Sequence, residues 1–364
     1  PTPTPQPAKP IPLKPVAQVS PKIGLDNQVL RDRTALIRAI DHSLQYLKTP
    51  KAAEVYQKYP VQGITRDRVE RSLVRFRQLL VSTRSTTALQ RAIQREFTFY
   101  QSVGKDNQGT VAFTGYFEPV HLASRTQTAQ YRYPLYRLPS DFKTWTKPHP
   151  TRLDLEGADG LQGSKGRLRG LELVWMRDRL EAFLVQVQGS ARLRLTDGTT
   201  MTVGVAGLTD QPYTGIGREL VKDGKLKLED LNLPSIVRHF KQNPADLNVY
   251  LPRNQRFVFF RDTQGAPALG SLNVPVTAGR SIATDKSLMP PGALALFQTQ
   301  LPIRNAKGQL VQRSVSRYVL DQDTGGAIIG AGRVDIFMGT GQQAGEKAGF
   351  VNSNGQLYYL LLKQ

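Results

Sequence analysis

The spacing of apolar residues changes three times along this chain. It fits helices at residues 27–47, 65–80 and 89–97, short strands within 111–214, helices again at 217–249, and strands from 256 to 362. Thr65 is placed to cap the second helix. Two helical and two β regions therefore interleave, so we expect one domain to be inserted into another.

Short strand-like runs separated by turn residues fill the first β region. The predicted strands cover residues 111–119, 133–138, 171–176, 182–188, 191–195 and 200–205, with an Asp-Gly hairpin turn before the last. The run 184–190 alternates apolar and polar residues and ends in Gln188, Gly189 and Ser190. Its amides and hydroxyl fit the recognition of sugar hydroxyl or acetamido groups, although solvated polarity at a strand end explains them too.

The first 22 residues are rich in proline. Eight of the 24 prolines lie there, with almost no apolar periodicity, which predicts an extended linker of the polyproline type. A proline-rich ligand for a partner domain is the alternative. Because the chain starts at Pro1, we expect any export signal or lipid-attachment cysteine to precede it.

The composition limits the partners and the chemistry. A formal charge of +20 predicts an anionic partner: a nucleic acid, a membrane surface or an acidic cell-wall polymer. The chain has no basic block with interleaved aromatic residues, so nothing specific in the sequence favours nucleic acid. The chain has no cysteine, which excludes disulfides and thiol nucleophiles, and no run of about 18 apolar residues.

Several common site types lack their sequence patterns. The four histidines lie far apart and form no metal-ligand motif, so we expect no metal and no cofactor. No G-x-S-x-G marks a nucleophilic serine, and no Lys-Ser/Thr follows the glycines at 325–332. Carboxylates are the groups that remain for catalysis.

Three aspartates stand out near the C-terminal end. Asp323 and Asp335 lie near strand-like residues with glycines between them, and Asp285 lies in A-T-D-K-S-L-M-P-P-G. An acid that delivers a proton near neutrality needs a pKa a few units above the usual value of about 3.9. Asp335 has apolar neighbours on both sides, which favours such a shift. The D-T-G triplet at 323–325 is also that of pepsin-like proteases, but those need two such triplets and the chain has one.

Seven ordered motifs carry a family resemblance. They are G-Y-F-E-P at 115–119, Y-P-L-Y-R-L-P at 133–139, V-Q-G-S at 187–190, F-V-F-F at 257–260, G-R-S-I-A-T-D-K-S-L-M-P-P-G at 279–292, D-T-G-G-A-I at 323–328 and R-V-D-I-F-M-G-T-G at 333–341. With them, the chain resembles the membrane-bound lytic transglycosylase A (MltA) family after the linker. The last two motifs, together with the segment that contains Asp285, resemble its three-aspartate "3D" module.

The resemblance implies a mainly β fold with helical segments. We expect a double-psi β-barrel catalytic domain with N-terminal helices at residues 23–120 and 248–364, after a linker at 1–22. A second β domain would be inserted at 121–247, with a glycan groove between the two domains.

The resemblance also implies an activity and its residues. The expected reaction cleaves the β-1,4 bond between N-acetylmuramic acid and N-acetylglucosamine and leaves 1,6-anhydromuramoyl ends. Asp335 would act as acid and then base, Asp323 would orient it or raise its pKa, and Asp285 would support the barrel or groove. The residues expected to line the sugar sites are Tyr116, Glu118, Gln188, Gly189, Ser190, Gly325 and Gly326.

The resemblance places the protein in the cell envelope or periplasm. The expected partner is the glycan strand of peptidoglycan, and the expected state is a monomer, with outer-membrane association through an N-terminal anchor that would precede Pro1. A non-catalytic peptidoglycan-binding protein with a 3D module is the alternative function.

Overall fold

The computed structural model describes residues 11–16 and 26–364. Two compact units share the chain. Unit 1 holds the described residues up to Thr114, Gly270–Phe337 and Ser353–Gln364, and unit 2 holds Gly115–Leu269 and Met338–Asn352. Among the described residues, no helix combines the length and apolar character needed to cross a bilayer.

The helical and β regions follow one another in the predicted order, but the helices α5, α6 and α10 lie inside regions predicted to be β. The α-helices are α1 Arg33–Leu47, α2 Pro50–Gln57, α3 Arg66–Ser82, α4 Thr86–Glu96, α5 Arg152–Glu156, α6 Arg179–Gln188, α7 Ile216–Lys222, α8 Leu233–Gln242, α9 Leu247–Tyr250 and α10 Gln342–Gly349. The strands are β1 Leu13–Val16, β2 Phe97–Ser102, β3 Val111–Glu118, β4 Val120–Ser124, β5 Tyr133–Tyr136, β6 Glu172–Met176, β7 Ser190–Leu195, β8 Thr200–Leu208, β9 Val258–Asp262, β10 Ser281–Ala283, β11 Leu294–Arg304, β12 Leu310–Asp323, β13 Arg333–Thr340 and β14 Asn352–Leu362. Short 3-10 helices lie at Phe142–Thr144, Gly163–Lys165, Leu228–Asp230, Pro244–Asp246 and Leu251–Arg253.

The sheet of unit 1 closes into a barrel. Six strands follow one another in the order β14, β11, β12, β10, β13 and β3, and β3 pairs with β14 to complete the ring. Closure removes the exposed edges that an open sheet would present. The mainly β fold class with a barrel domain, predicted from the sequence, is confirmed.

Helices cover this barrel as their apolar spacing predicts. Thr65 caps α3 by accepting a hydrogen bond from the Arg68 backbone N–H at 3.2 Å. The apolar stripe of α3 is buried, and Phe76 packs on Tyr318 of β12 with ring centroids 5.1 Å apart. The sequence did not predict α2, which begins at Pro50 after the capping residue Thr49.

Unit 2 contains the second sheet. Its strands follow the order β5, β6, β4, β7, β8 and β9, and a bridge between Arg137 and Phe260 joins its two ends. One cluster of buried apolar residues forms the core against this sheet. The helices α7, α8 and α9 pack around a second cluster, with Phe240 and Tyr250 in contact at 6.2 Å between ring centroids.

The strand predicted at 182–188 is wrong, because these residues form helix α6. Asp178 caps the helix by accepting a hydrogen bond from the Glu181 N–H at 3.0 Å, and Gly189 ends it with a left-handed φ of 79°. One side of α6 packs on the sheet and the other on the helical cluster. Burial on both sides places apolar residues at positions that resemble the alternation of a strand.

The structural units differ in extent from the expected domains. Residues 115–120, 248–269 and 338–352, all expected in the barrel domain, belong to unit 2, where α10 lies close to β3. A Cβ on Gly345 would lie 2.7 Å from the Phe117 ring, and one on Gly115 would lie 2.9 Å from the Cα of Ala348. Glycine is therefore required at both positions. Within the expected linker, residues 13–16 form β1 and pair with β2; residues 1–10 and 17–22 lie outside the described residues.

Candidate active site

Strand β10 brings two of the predicted aspartates together. It pairs in parallel with β12 and antiparallel with β13, and Ala283 stands opposite both Asp323 and Asp335. Because neighbouring strands lie about 4.8 Å apart, the Cα atoms of the two aspartates are about 10 Å apart. A bulge between Ile282 and Ala283 shifts the register of β12 at this point, and bulges commonly redirect side chains near active sites.

Of the predicted aspartates, Asp335 lies in the environment that best suits a proton donor. Burial is the largest influence on its carboxyl and raises the pKa, Thr114 and Arg333 lower it, the charge of Asp323 raises it, and the net pKa is about 6. The Asp335 Oδ1 is buried and has no hydrogen-bond partner among the described residues, and the same is true of the Thr114 hydroxyl. The carboxyl therefore lies near Thr114 with an oxygen still available for a hydrogen bond.

Backbone groups fix Asp323. Its Oδ1 accepts hydrogen bonds from the Ser271 and Thr324 N–H groups, both at 2.8 Å. Its carbonyl accepts a hydrogen bond from the Thr284 N–H at 3.1 Å. The Thr324 hydroxyl donates to the Thr284 carbonyl at 2.8 Å. The end of β12 is therefore tied to the segment that follows β10.

Asp285 holds the glycine-rich loop between β12 and β13. Its Oδ2 accepts a hydrogen bond from the Gly330 N–H at 2.8 Å, and its Oδ1 accepts from the Ser287 hydroxyl at 2.6 Å. Partial burial raises its pKa, but these hydrogen bonds and the charge of Lys286 lower it overall. Gly325 and Gly326 are exposed in the turn at the start of the loop, where the Ile328 N–H donates to the Gly325 carbonyl at 2.9 Å.

A fourth aspartate lies in the barrel wall and was not predicted. The carboxylate of Asp321 is fully buried and forms an ion pair with Lys286. It also accepts hydrogen bonds from the Thr284 hydroxyl at 2.7 Å and the Tyr359 hydroxyl at 2.6 Å. Burial, together with the Asp321 charge, raises the pKa of Tyr359 well above its usual range. This network supports the Thr284–Lys286 segment, which carries Asp285.

The sugar-site candidates of unit 2 surround the end of α6. Gln188 is its last residue and accepts a hydrogen bond from the Phe117 N–H through Oε1 at 3.1 Å. Gly189 turns the chain in the left-handed conformation, and Ser190 begins β7 opposite Gly204. The sequence predicted these groups at the end of a strand, whereas Gln188 ends helix α6 and Ser190 begins β7 two residues later.

Glu118 is buried and paired within unit 2. Its Oε2 accepts a hydrogen bond from the Thr340 hydroxyl at 2.8 Å and lies 3.8 Å from the Arg192 Nε. Only 2% of the residue is exposed, which favours holding Thr340 over a direct sugar contact. Tyr116, two residues earlier on β3, is partly buried.

The residues that contact Asp335 and Glu118 were not predicted, and most of them come from distant segments of the chain. Thr114 on β3 affects Asp335 on β13, and Thr340 and Arg192 pair with Glu118. Only Arg333 had a local signal, since side chains two residues apart on a strand share a face. Within residues 11–16 and 26–364, no group of three or more His, Asp or Glu side chains is placed to hold a metal ion.

The class of site follows from Asp335. A carboxyl that holds its proton to a pH of about 6, beside a second carboxylate, is suited to general acid–base catalysis. Two family models match this chain in order: the MltA specific insert domain at residues 112–261 and the 3D domain at residues 280–361.

Curated relatives indicate the same family over a longer stretch of the chain. The chain is 32% identical over 264 residues to membrane-bound lytic murein transglycosylase A of Escherichia coli K12, covering 72% of this chain and 68% of the relative. It is 33% identical to the Vibrio cholerae protein over 263 residues, covering 71% and 68%. The chain therefore belongs to the MltA family of lytic murein transglycosylases.

Solved structures agree with this assignment. The E. coli MltA crystal structure with bound chitohexaose matches with a TM-score of 0.73 and 26% identity, covering 97% of this chain and 95% of that one. The membrane-bound lytic murein transglycosylase of Agrobacterium tumefaciens matches with a TM-score of 0.71 and 26% identity, covering 91% and 93%. The protein is an enzyme of the lytic murein transglycosylase class.

Proposed function

We propose that this enzyme cleaves the β-1,4 bond between N-acetylmuramic acid and N-acetylglucosamine with Asp335 as its single acid and base. The observation that supports the proposal is the Asp335 carboxyl, with its pKa raised to about 6 and its buried Oδ1 without a partner among the described residues. Such a carboxyl is protonated in a useful fraction near neutral pH and can donate to a glycosidic oxygen.

The two proton transfers follow in sequence. Protonated Asp335 gives its proton to the leaving oxygen as the C1–O bond breaks and an oxocarbenium-like centre forms at the muramic acid. The carboxylate of Asp335 then takes the proton of the C6 hydroxyl of the same sugar, whose oxygen bonds to C1. The product carries a 1,6-anhydro ring, no water is consumed, and Asp335 ends protonated as it began.

The other predicted site residues support Asp335 or contact the glycan. The negative charge of Asp323 favours the protonated form of Asp335, because two nearby carboxylates disfavour double ionisation. Asp285 orders the loop through Gly330. For contacts with the glycan we propose the exposed turn of Gly325 and Gly326 in unit 1, and Tyr116, Gln188, Gly189 and Ser190 in unit 2.

Glycan strands of peptidoglycan are the proposed partner, in the cell envelope. The E. coli relative has been crystallised with chitohexaose, a chain of β-1,4-linked N-acetylglucosamine, and the relatives carry the description membrane-bound. The formal charge of +20 favours an anionic wall polymer over a neutral one.

The products of digestion test this function. Purified protein incubated with peptidoglycan should release muropeptides whose mass is one water lower than that of hydrolysed ends, measured by mass spectrometry. A muramidase digest of the same material supplies the hydrated reference. Fully hydrated ends would make the enzyme a hydrolase, and the absence of any release would leave a wall-binding protein without catalysis.

Activity should decrease as the pH rises through about 6. The first step needs protonated Asp335, so kcat/KM should be flat below the raised pKa of about 6 and decrease about tenfold per pH unit above it. Initial rates of muropeptide release between about pH 4.5 and 8 measure this. Circular dichroism at each pH separates titration from unfolding. A rate that increases with pH over this range would require a base, not an acid, in the first step.

A further inference from the structure

Arg333 and Asp335 share one face of strand β13. Val334 and Ile336 are 0% exposed, whereas Arg333 and Asp335 are half-buried. Successive side chains of a strand point to opposite faces of the sheet, so the apolar pair belongs to the core and the charged pair to the accessible face. At about 3.3 Å per residue, the Cα atoms of Arg333 and Asp335 are about 7 Å apart.

Strand β3 extends this accessible face. Its residues Ala112 and Thr114 are half-buried and alternate with buried apolar residues. The Ala112 N–H donates a hydrogen bond to the Gly332 carbonyl at 2.8 Å, which places Ala112 beside Arg333, and Thr114 lies near Asp335. The methyl side chain of Ala112 leaves room next to the guanidinium. We call Ala112, Thr114, Arg333 and Asp335 the acid face, and all four belong to unit 1.

Three buried polar atoms of the acid face lack partners. The Thr114 Oγ, the Arg333 Nε and the Asp335 Oδ1 have no hydrogen-bond partner among the described residues. Buried polar groups in folded proteins are almost always hydrogen-bonded, so three neighbouring exceptions indicate a missing ligand. The two proton transfers of the proposed mechanism give Asp335 its partners on the substrate. They give Arg333 none, so its Nε needs a different group of the ligand.

The charge of Arg333 also lacks a lasting partner. No ion pair between the described residues of unit 1 includes it. Its charge interacts with that of Asp335, whose pKa it lowers, but Asp335 carries no charge when it is ready to donate a proton. A partly buried guanidinium without a counter-charge is unfavourable. An acceptor oxygen supplied by the substrate would stabilise it.

We propose that Arg333 binds the lactyl group of the N-acetylmuramic acid whose glycosidic bond Asp335 cleaves. This inference rests on the proposed function. The lactyl group is attached to C3, two ring carbons from the C1 at which the bond breaks, and N-acetylglucosamine lacks it. Its terminal oxygens form a carboxylate, or an amide carbonyl where a stem peptide is attached, and both accept hydrogen bonds from a guanidinium.

This contact would determine which bond of the polymer is cleaved. The glycan alternates two sugars and therefore contains two kinds of β-1,4 bond. Only N-acetylmuramic acid offers Arg333 an acceptor at C3, so binding of the lactyl group places that sugar, and not N-acetylglucosamine, beside Asp335. Arg333 is thus a specificity-determining residue that sets the register of the strand.

Binding of the lactyl group would also favour the chemistry. An uncompensated charge on Arg333 disfavours both the protonated form of Asp335 and the positive charge that develops at C1. A carboxylate or carbonyl oxygen against the guanidinium reduces both effects. The substrate thereby helps the acid to keep its proton until the bond breaks.

Binding to a variant that does not cleave tests the inference. The complete chain with Asp335→Asn is titrated by calorimetry at about pH 7 with two soluble tetrasaccharides. One is two GlcNAc-MurNAc repeats with free lactyl carboxylates, and the other is chitotetraose, which differs from it only in lacking the lactyl groups. We expect the muramyl tetrasaccharide to bind at least about tenfold more tightly, because a charge-assisted contact is added.

Further substitutions assign this preference to Arg333. Arg333→Gln, added to Asp335→Asn, should remove the preference and leave the binding of chitotetraose unchanged. Arg313→Gln is the matched control, since Arg313 is an exposed arginine of β12 outside the acid face, and it should retain the full preference. Ala112→Glu places a competing carboxylate beside Arg333. It should reduce the preference too, so the test holds even if Arg333→Gln is unstable.

The pH profile of the cleaving enzyme provides a second readout. Because the charge of Arg333 lowers the pKa of Asp335, Arg333→Gln alone should move the midpoint of the kcat/KM profile to a higher pH. Arg313→Gln should leave the midpoint in place. A purely structural role of Arg333 would lower activity at every pH without moving the midpoint.

Three outcomes would each overturn the inference. They are the absence of a preference for the muramyl tetrasaccharide in Asp335→Asn, a preference that neither Arg333→Gln nor Ala112→Glu weakens, and an unchanged pH midpoint in Arg333→Gln. None of these results changes the mass of the muropeptides that the wild-type protein releases. Failure here is therefore distinct from failure of the proposed transglycosylase reaction.

Discussion

Replacing Asp335 with asparagine should abolish glycan cleavage. General acid–base catalysis contributes about 10²- to 10⁴-fold for one transfer, and the proposed mechanism uses the same carboxyl for two. We therefore expect muropeptide release to decrease by about 10⁴-fold or more. The asparagine amide keeps the size of the side chain but neither delivers a proton to the leaving oxygen nor takes one from the C6 hydroxyl. The measurement is release from peptidoglycan at about pH 5, where wild-type Asp335 is mostly protonated.

The stability of this variant distinguishes a chemical loss from misfolding. The pKa of Asp335 is about 6 in the folded protein and about 3.9 in an unfolded chain, so folding disfavours the ionised form. That penalty is absent below about pH 4, develops between about pH 4 and 6, and is complete above. At about 1.4 kcal/mol per pKa unit it reaches at most about 3 kcal/mol. Asp335→Asn should therefore be as stable as wild type in acid and more stable at pH 7 to 8.

An exposed aspartate provides the matched control for both measurements. Asp230→Asn removes the same charge from the surface of unit 2 and should change neither cleavage nor the pH dependence of stability. Substantial activity in Asp335→Asn would remove Asp335 from the mechanism. An inactive variant with a lower thermal transition at every pH would point to a structural loss.

Local patterns predicted the elements better than their arrangement. Thr65 was recognised as a cap because capping depends on neighbours in sequence, and the apolar residues beside Asp335 indicated its raised pKa. Helix α6 was missed because packing on two apolar clusters hides the helical spacing of its residues. Tertiary burial here determined the pattern that a local reading takes for a strand.

The arrangement of the aspartates depends on pairings that a single sequence does not encode locally. Asp323 and Asp335 approach each other because the three-residue strand β10 lies between their strands, with one parallel and one antiparallel pairing. A strand of that length has too little pattern to predict its partners. The Asp321–Lys286 ion pair was missed because it joins residues 35 positions apart in the sequence.

Arg280 is the centre of a buried ion cluster beside β10. Arg280 directly precedes β10, is 0% exposed, and donates to Asp26, Asp32 and the Tyr318 carbonyl. It thereby connects the segment before α1 to the barrel strand that aligns both aspartates. Removing one partner of a buried ion pair leaves the other charge uncompensated, which destabilises a protein more than the pair itself stabilises it.

Arg280→Met should therefore lower the free energy of unfolding by about 3 to 5 kcal/mol, measured by urea denaturation. Arg313→Met, an exposed arginine of β12, should change it by less than about 0.5 kcal/mol. Adding Asp26→Asn to Arg280→Met removes the most buried orphaned carboxylate and should recover part of the loss, whereas Asp26→Asn alone should destabilise. If Arg280→Met costs less than about 1 kcal/mol, or the double variant is no more stable than Arg280→Met, the cluster does not stabilise the barrel through these charges.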